Sequence, residues 1–224
     1  ATLIVRRIKG VKKAAIATVI PFARPVLLLD SGANVELPAE AYVQLAQMGT
    51  IYMRSIFGIP SPEVGLLNIG AERTKGTKLL VEVYNMLEQD PTINFKGNVE
   101  GKELPFGVCD VLVTDGFTGN IVLKLTEGVS SFLLSKIKEV FYSNLITKAS
   151  ALFVKKGMTN LKNEYNSSQY GGAPLLGISR PVIKAHGSSD AEAIKNAVRQ
   201  AIGYINTGII YEIARLTVGD ELGE

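Results

Sequence analysis

Cysteine and histidine are almost absent from this 224-residue chain, which has one of each. A single cysteine, Cys109, excludes an intrachain disulfide. It follows Val108 and precedes an apolar run, the setting of a small buried hydrophobe. With His186 as the only histidine, a zinc site built from His and Cys is excluded in practice. A Ser/His/Asp triad survives only if His186 is its base. Strong charge imbalance is missing too. The formal net charge is +3 and the pI is near 8.9. That is far short of a nucleic-acid-binding signature, though it suits an acidic partner or an anionic substrate. No apolar run is as long as a membrane span. The apolar residues 1–5 are followed, not preceded, by Arg6, Arg7 and Lys9, the reverse of a signal peptide's order. A cytoplasmic protein is the expectation.

What is present is the make-up of a packed core: 46% hydrophobic and 20% charged residues, enough for one large domain. Short apolar runs alternate with helical periodicity. Runs at 25–30, 63–69, 92–99 and 110–114 read as buried strands, and 173–178 and 181–185 as two more. Pro38 opens a helix that Gly58 and Pro60 end. Thr74 is expected to cap a second helix, which Asp90 and Pro91 stop. Ser189 and Glu192 have capping-box spacing ahead of one long helix. Its stripe Ile194, Val198, Ile202, Ile205, Ile209 and Ile213 is expected to face the core. Residues 126–165 carry no strand signal. Phe132, Leu133, Ile137, Val140, Phe141 and Leu145 recur there at helical spacing among lysines, which predicts two inserted helices, a hairpin over 126–168. Residues 1–8 have helical character, and no opening strand with a ligand loop is seen, so the native chain is expected to extend upstream. Strands alternating with helices predict an α/β fold with a mainly parallel sheet.

Five polar clusters follow strand ends: 31–34, 72–76, 98–101, 115–120 and 184–190. In open α/β sheets ligands bind beyond the carboxyl ends of the strands. Taken singly, each cluster is an ordinary βα turn of Gly, Asn, Asp and Ser, and Thr74 and Ser189 are explained as caps. Lys75 and Lys184 are harder to explain that way. A lysine beside a helix N-terminus opposes the positive end of the dipole, and a bound phosphate would relieve the conflict. The loop 115–120 could cradle an anion with backbone N–H groups. It is neither a G-x-x-x-x-G-K-[ST] loop nor a G-x-G-x-x-G fingerprint, which weakens ATP and dinucleotide readings. Gly171 and Gly172 either form a plain loop or allow close backbone approach to a ligand.

The stretches LLDSGAN (28–34), VGLLNIG (64–70), ERTKG (72–76), FKGNVEG (95–101), TDGFTGNIVLK (114–124), YGGAPLLG (170–177) and VIKAHGSSD (182–190) follow one another in an order that resembles the PlsX family. That family comprises the phosphate acyltransferases of bacterial phospholipid synthesis. The resemblance runs from residue 1 to about 215, and residues 1–11 resemble a segment well inside the family's first half. It implies a three-layer α/β/α sandwich related to phosphotransacetylases and the isocitrate dehydrogenase group. The implied reaction moves an acyl group from acyl-[acyl carrier protein] to inorganic phosphate, with no metal and no cofactor. It further implies a homodimer, peripherally associated with an anionic membrane surface, with the helical insert 126–168 at the membrane-facing tip, at the dimer interface, or both. Lys75, Asn120 and His186 become the catalytic candidates. Asn34, Thr74, Asn98, Glu100, Asp115, Gly116, Gly119, Gly171, Gly172, Lys184, Gly187, Ser188 and Ser189 become the phosphate- or substrate-binding candidates, with Gly116 and Gly119 offering N–H donors. Ser31, where the family usually has an apolar residue, and Arg73, where it usually has an acidic one, depart from the pattern. The other readings of this topology are an NAD(P)-dependent dehydrogenase of the isocitrate or isopropylmalate type and a non-enzymatic membrane-associated scaffold.

Overall fold

A computed structural model describes residues 2–164, 171–185, 187 and 189–218. The chain enters through a turn, not the expected helix, and residues 14–20 supply two short strands, β1 (Ala15–Ile16) and β2 (Thr18–Pro21). β2 pairs antiparallel with β3 (Pro25–Leu29) at the edge of a five-stranded sheet. The other members are β4 (Glu63–Asn68), β5 (Asn94–Glu100) and β6 (Val111–Val113), in the order β2-β3-β6-β4-β5. β3, β6, β4 and β5 are mutually parallel, so their carboxyl ends lie side by side. Leu27, Leu28, Leu29, Val111, Leu112 and Val113 are all fully buried. Burial on both faces is why these strands read as unbroken apolar runs rather than alternating ones.

α1 (Ala39–Phe57) packs on β3, β6 and β4, and α2 (Lys78–Gln89) on β5 and α1. Gly49 sets how closely α1 meets the sheet, because a Cβ there would stand 2.6 Å from a Val111 methyl. α1 ends where Gly58, at φ 68°, turns its N–H back to the carbonyls of Met53 and Arg54, a left-handed cap that glycine adopts without penalty. The cap of α2 is Thr77, whose hydroxyl accepts from the Leu80 amide at 3.2 Å. Thr74 lies outside the helix, exposed. A 3-10 turn (Gly101–Phe106) links β5 to β6.

α3 (Gly116–Phe141) follows β6, and α4 (Leu145–Glu164) follows a short turn. Asn144 and Thr147 cap α4 reciprocally, each side-chain oxygen accepting from the other's amide at 2.9 and 3.2 Å. Residues 121–166 form a compact unit separate from 1–120 with 167–224. β7 (Ala173–Leu176) and β8 (Ile183–Lys184) complete a small antiparallel sheet with β1.

The predicted last helix is two helices, α5 (Ala191–Asn206) and α6 (Ile209–Val218), separated at Thr207 and Gly208. Asp190 caps α5, accepting from the Ala193 amide at 2.8 Å, in place of Ser189. Only the α6 part of the expected stripe is buried: Ile209 and Ile213 are inaccessible, whereas Ile194, Val198, Ile202 and Ile205 are 47–61% exposed. α5 instead buries Ala193, Ala197 and Tyr204. Alanine at the contact admits a neighbouring backbone, and Gly171 uses that space.

Candidate active site

The two loops beyond β3 and β6 are built as one object. Asp30 ends the apolar run of β3 and is completely buried. A buried carboxylate must be hydrogen-bonded, and this one accepts five bonds. Oδ1 takes the amides of Ile16, Gly32 and Ala33 at 3.2, 3.0 and 2.9 Å. Oδ2 takes the Asn34 amide and the Asn34 Nδ2, at 2.9 and 2.8 Å. Asn34 Nδ2 also donates to the Ala14 carbonyl at 2.8 Å. Loop 31–34 is thereby wrapped around one charge. Ser31 is buried with it, its hydroxyl 2.7 Å from that of Thr18 and donating to the Ile16 carbonyl at 3.0 Å.

The start of α3 rests on this loop. Gly116 donates its amide to the Asn34 carbonyl at 2.7 Å. Asp115 caps the helix, accepting from the Thr118 amide at 2.7 Å and the Thr118 hydroxyl at 2.9 Å. The Tyr42 hydroxyl reaches the same carboxylate at 3.4 Å, and burial, then the Asp115 charge, pushes the Tyr42 phenol well above its ordinary range. Gly119 donates to the Asp115 carbonyl. The amides of Gly116 and Gly119, expected as phosphate donors, are thus hydrogen-bonded within the protein. These positions are glycine because a Cβ would stand 2.5 Å from the Asn34 carbonyl oxygen at Gly116, and 2.0 Å from that of Asp30 at Gly119. Asn120 is half-buried and lies against Gly32, whose Cβ position is 3.4 Å from the Asn120 Oδ1.

A second pair of loops follows β4 and β5. Asn68 and Asn98, both buried, join through Asn68 Nδ2 and Asn98 Oδ1 at 3.0 Å. Asn68 also donates to the Lys75 carbonyl at 3.0 Å, and Asn98 to that of Glu72 at 2.8 Å. Two side-chain amides thus hold the backbone of the Lys75 loop. Lys75 itself is about half exposed, with its ammonium 4.0 Å from the Glu72 carboxylate. An exposed pair at that distance contributes little, so the cation is available to an anion. Arg73 is taken up locally, 2.9 Å from Glu88, bonded to Asn85, and 5.5 Å over the Tyr84 ring. Glu100 belongs to the 3-10 turn that follows: its carboxylate caps the turn and pairs with Lys102 at 3.0 Å.

The third group follows β8. Lys184 and Gly187 are exposed, and Ser189 is half-buried. His186 and Ser188 lie outside the described residues. Gly171, at φ 78°, abuts the α5 backbone, with its Cβ position 2.2 Å from the Asn196 carbonyl carbon. Gly172 abuts Ile183 and the Lys184 carbonyl. Helix and strand packing account for both glycines. Asp30 and Asn68, which anchor two of the loops, are absent from the candidates drawn from sequence. Their signal was present, since each is the polar residue closing an apolar run.

A cavity of about 560 Å³ lies at the other end of the sheet, among Arg24, Glu63, Asn94 and Asp110. Its charges satisfy one another. Arg24 is 2.7 Å from Glu63 and 3.3 Å from Asp110, and Lys96 is 3.2 Å from Glu63. The half-exposed Lys75 lies instead in a loop at the carboxyl ends of the strands.

Sheet order, parallel strands and strand-end loops place the chain among α/β proteins of phosphotransacetylase architecture. It superposes on a phosphotransacetylase from Staphylococcus aureus with a TM-score of 0.59 at 16% identity, covering 94% of this chain and 58% of that one. On a branched-chain phosphotransacylase from Enterococcus faecalis the TM-score is 0.51 at 14% identity, covering 86% and 64%. These likenesses concern the fold. The chain belongs to the fatty acid synthesis protein family, whose model matches residues 1–212, in agreement with the motifs. It is 45% identical to the phosphate acyltransferase of Alkaliphilus oremlandii over 98% of its own length and 66% of the relative's. To that of Thermoanaerobacter pseudethanolicus it is 42% identical over 99% and 68%. The chain spans about two thirds of the length of the curated relatives it matches.

Proposed function

We propose that the protein to which this chain belongs transfers a fatty acyl group from acyl-[acyl carrier protein] to inorganic phosphate, forming an acyl phosphate. The observation that carries this reading is a set of strand-end loops fixed from behind by Asp30 and by the Asn68–Asn98 pair, within a family whose members are named phosphate acyltransferases. Phosphate is already a nucleophile. One of its oxygens attacks the thioester carbonyl, the C–S bond breaks as the C–O bond forms, and the thiolate leaves and takes up a proton. The protein must hold phosphate in line and offer donors to the developing oxyanion. Lys75 supplies the cation, Asn120 orients phosphate or oxyanion, and His186 shares phosphate or oxyanion binding with Lys75. Asn34, Asn98, Glu100, Asp115 and the two α3 glycines shape the walls, while Lys184, Gly187, Ser188 and Ser189 complete the rim. No cofactor enters.

The protein acts as a homodimer in the cytoplasm and associates peripherally with anionic membrane through 121–166. Phe132, Leu133, Leu152 and Phe153 are more than half exposed there, interleaved with lysines, which supports interfacial binding. No helix among the described residues is long and apolar enough to cross a membrane.

The test is phosphate-dependent consumption of a long-chain acyl-carrier-protein thioester, measured for the full-length protein and this 224-residue chain side by side. Lys75→Ala is expected to lower kcat/KM for phosphate by about 10- to 150-fold, the loss of one charge-assisted contact. A folded full-length protein that forms no acyl phosphate sinks the reading.

A further inference from the structure

Three large apolar side chains stand exposed just beyond the strand ends, two in loops that are ordinarily polar and one at the start of α3. Val35 is 68% exposed, Ile69 81% and Phe117 60%. Each comes directly after a residue that anchors a strand-end loop: Asn34 after β3, Asn68 after β4, and Gly116 after β6. These are three neighbouring strands in the order β3-β6-β4. The bond from the Gly116 amide to the Asn34 carbonyl, at 2.7 Å, sets the backbones of Phe117 and Val35 beside each other. On the other side, Leu66 is in register with Val113. Val113 is the last residue of β6 and Asn68 the last of β4, so Ile69 and Phe117 follow the ends of adjacent strands. The three positions cross the carboxyl edge of the sheet over two strand spacings, about 10 Å. Scattered exposed apolar residues need no explanation, but three that follow neighbouring strand ends beside a polar site do.

From this juxtaposition we infer that Val35, Ile69 and Phe117 form the platform on which the acyl chain of the substrate lies. The inference rests on the acyl-transfer reading and adds the location of the apolar half of the substrate. The occupant follows from continuity. The thioester carbonyl must sit against the phosphate held near Lys75 and Asn120, and the chain leaves that carbonyl along one direction. Val35 directly follows loop 31–34 and Ile69 lies in loop 68–76, the two loops fixed by Asp30 and Asn68. The same anchors that preorganise the polar site therefore preorganise its apolar margin.

The experiment compares the full-length protein with Ile69→Ser, Phe117→Ser and the double variant. Exposed side chains carry little of the fold, so thermal midpoints should match wild type, and Phe117→Leu serves as the conservative variant. Two readouts are taken: kcat/KM for palmitoyl against butyryl carrier-protein thioesters, and equilibrium binding of palmitoyl against butyryl phosphonate. The double variant is expected to lose about 10- to 30-fold on the palmitoyl compounds and no more than about twofold on the butyryl ones. Phe117→Leu should restore most of the loss. An equal loss on both chain lengths, or no loss on either, overturns the platform while leaving acyl transfer intact. Should wild type turn over no thioester yet bind palmitoyl phosphonate in a way the double variant abolishes, the platform stands and the acyl-transfer reading falls. Binding of neither phosphonate by wild type removes both.

Discussion

Asp30→Asn is the sharpest test of how the site is held. The replacement is the same size, so it opens no cavity and isolates the chemistry of the carboxylate. Five donors point at Asp30: three at Oδ1 and two at Oδ2. An amide has one accepting oxygen and one NH2 group. Its less costly orientation keeps the oxygen toward Ile16, Gly32 and Ala33 and turns the NH2 toward the Asn34 amide and Nδ2, setting donors against donors. Two charge-assisted bonds disappear, and a hydrogen bond to a charged group contributes about 1.5–3 kcal/mol. The loss is therefore about 3–6 kcal/mol, a large part of a typical domain's total of about 5–15 kcal/mol. Ser31→Ala, which removes one hydroxyl from the same loop, should cost about 1 kcal/mol. Urea unfolding of both variants, with unchanged m-values, measures the difference. An Asp30→Asn loss no larger than that of Ser31→Ala would refute the claim that this carboxylate organises the loop.

Gly119→Ala should destabilise severely or prevent folding, because its methyl meets the Asp30 carbonyl at 2.0 Å. Gly128→Ala on the same helix meets nothing within 4 Å and should stabilise by about 0.5–1 kcal/mol, both read from thermal melts. Hydrogen bonds from Arg24, then Lys96, hold the Glu63 carboxyl below its ordinary value of 4.5. A lowered folded-state value means this contribution is present above pH 4.5 and is lost as pH falls through the folded-state value. Glu63→Gln should therefore be less stable than wild type near neutrality, with the gap closing in acid, and a constant gap would refute the pairing. Burial, with the Asp110 charge second, pushes the Cys109 thiol up to about 12. Iodoacetamide at pH 8 should leave it unmodified in the native protein and label it in denaturant, as followed by mass spectrometry.

Much of the fold was legible because doubly buried strands leave a signal that needs no tertiary context. The runs ending at Leu29, Asn68 and Val113 are short, apolar without alternation and bounded by turn residues, the pattern of a strand covered on both faces. Helix ends were less legible. Thr74 against Thr77, and Ser189 against Asp190, are chemically equivalent caps a few residues apart. Which one caps is decided by where the preceding loop lets the chain turn helical. The α5 stripe shows a deeper limit. Periodicity identifies an apolar face but not whether the fold covers it, and here the contact went to Ala193, Ala197 and Tyr204.

For the site, local sequence chose the residue types and their order along the chain. Polar and small residues at strand ends, the lysine at 75 and the asparagine at 120 follow from the motifs alone, as does the family. Tertiary structure decided what those residues are for. Gly116 and Gly119 looked like anion donors, yet their amides are used within the protein, and their lack of a side chain admits the backbone of loop 31–34. Asp30 and Asn68 read as the polar ends of two strands and became the anchors. Val35, Ile69 and Phe117, far apart in sequence, came to one edge only because β3, β6 and β4 are neighbours. The reason is that hydrogen-bond partners and steric neighbours come from parallel strand pairing across 31 to 84 residues, and no local pattern encodes which distant carbonyl a given amide will meet.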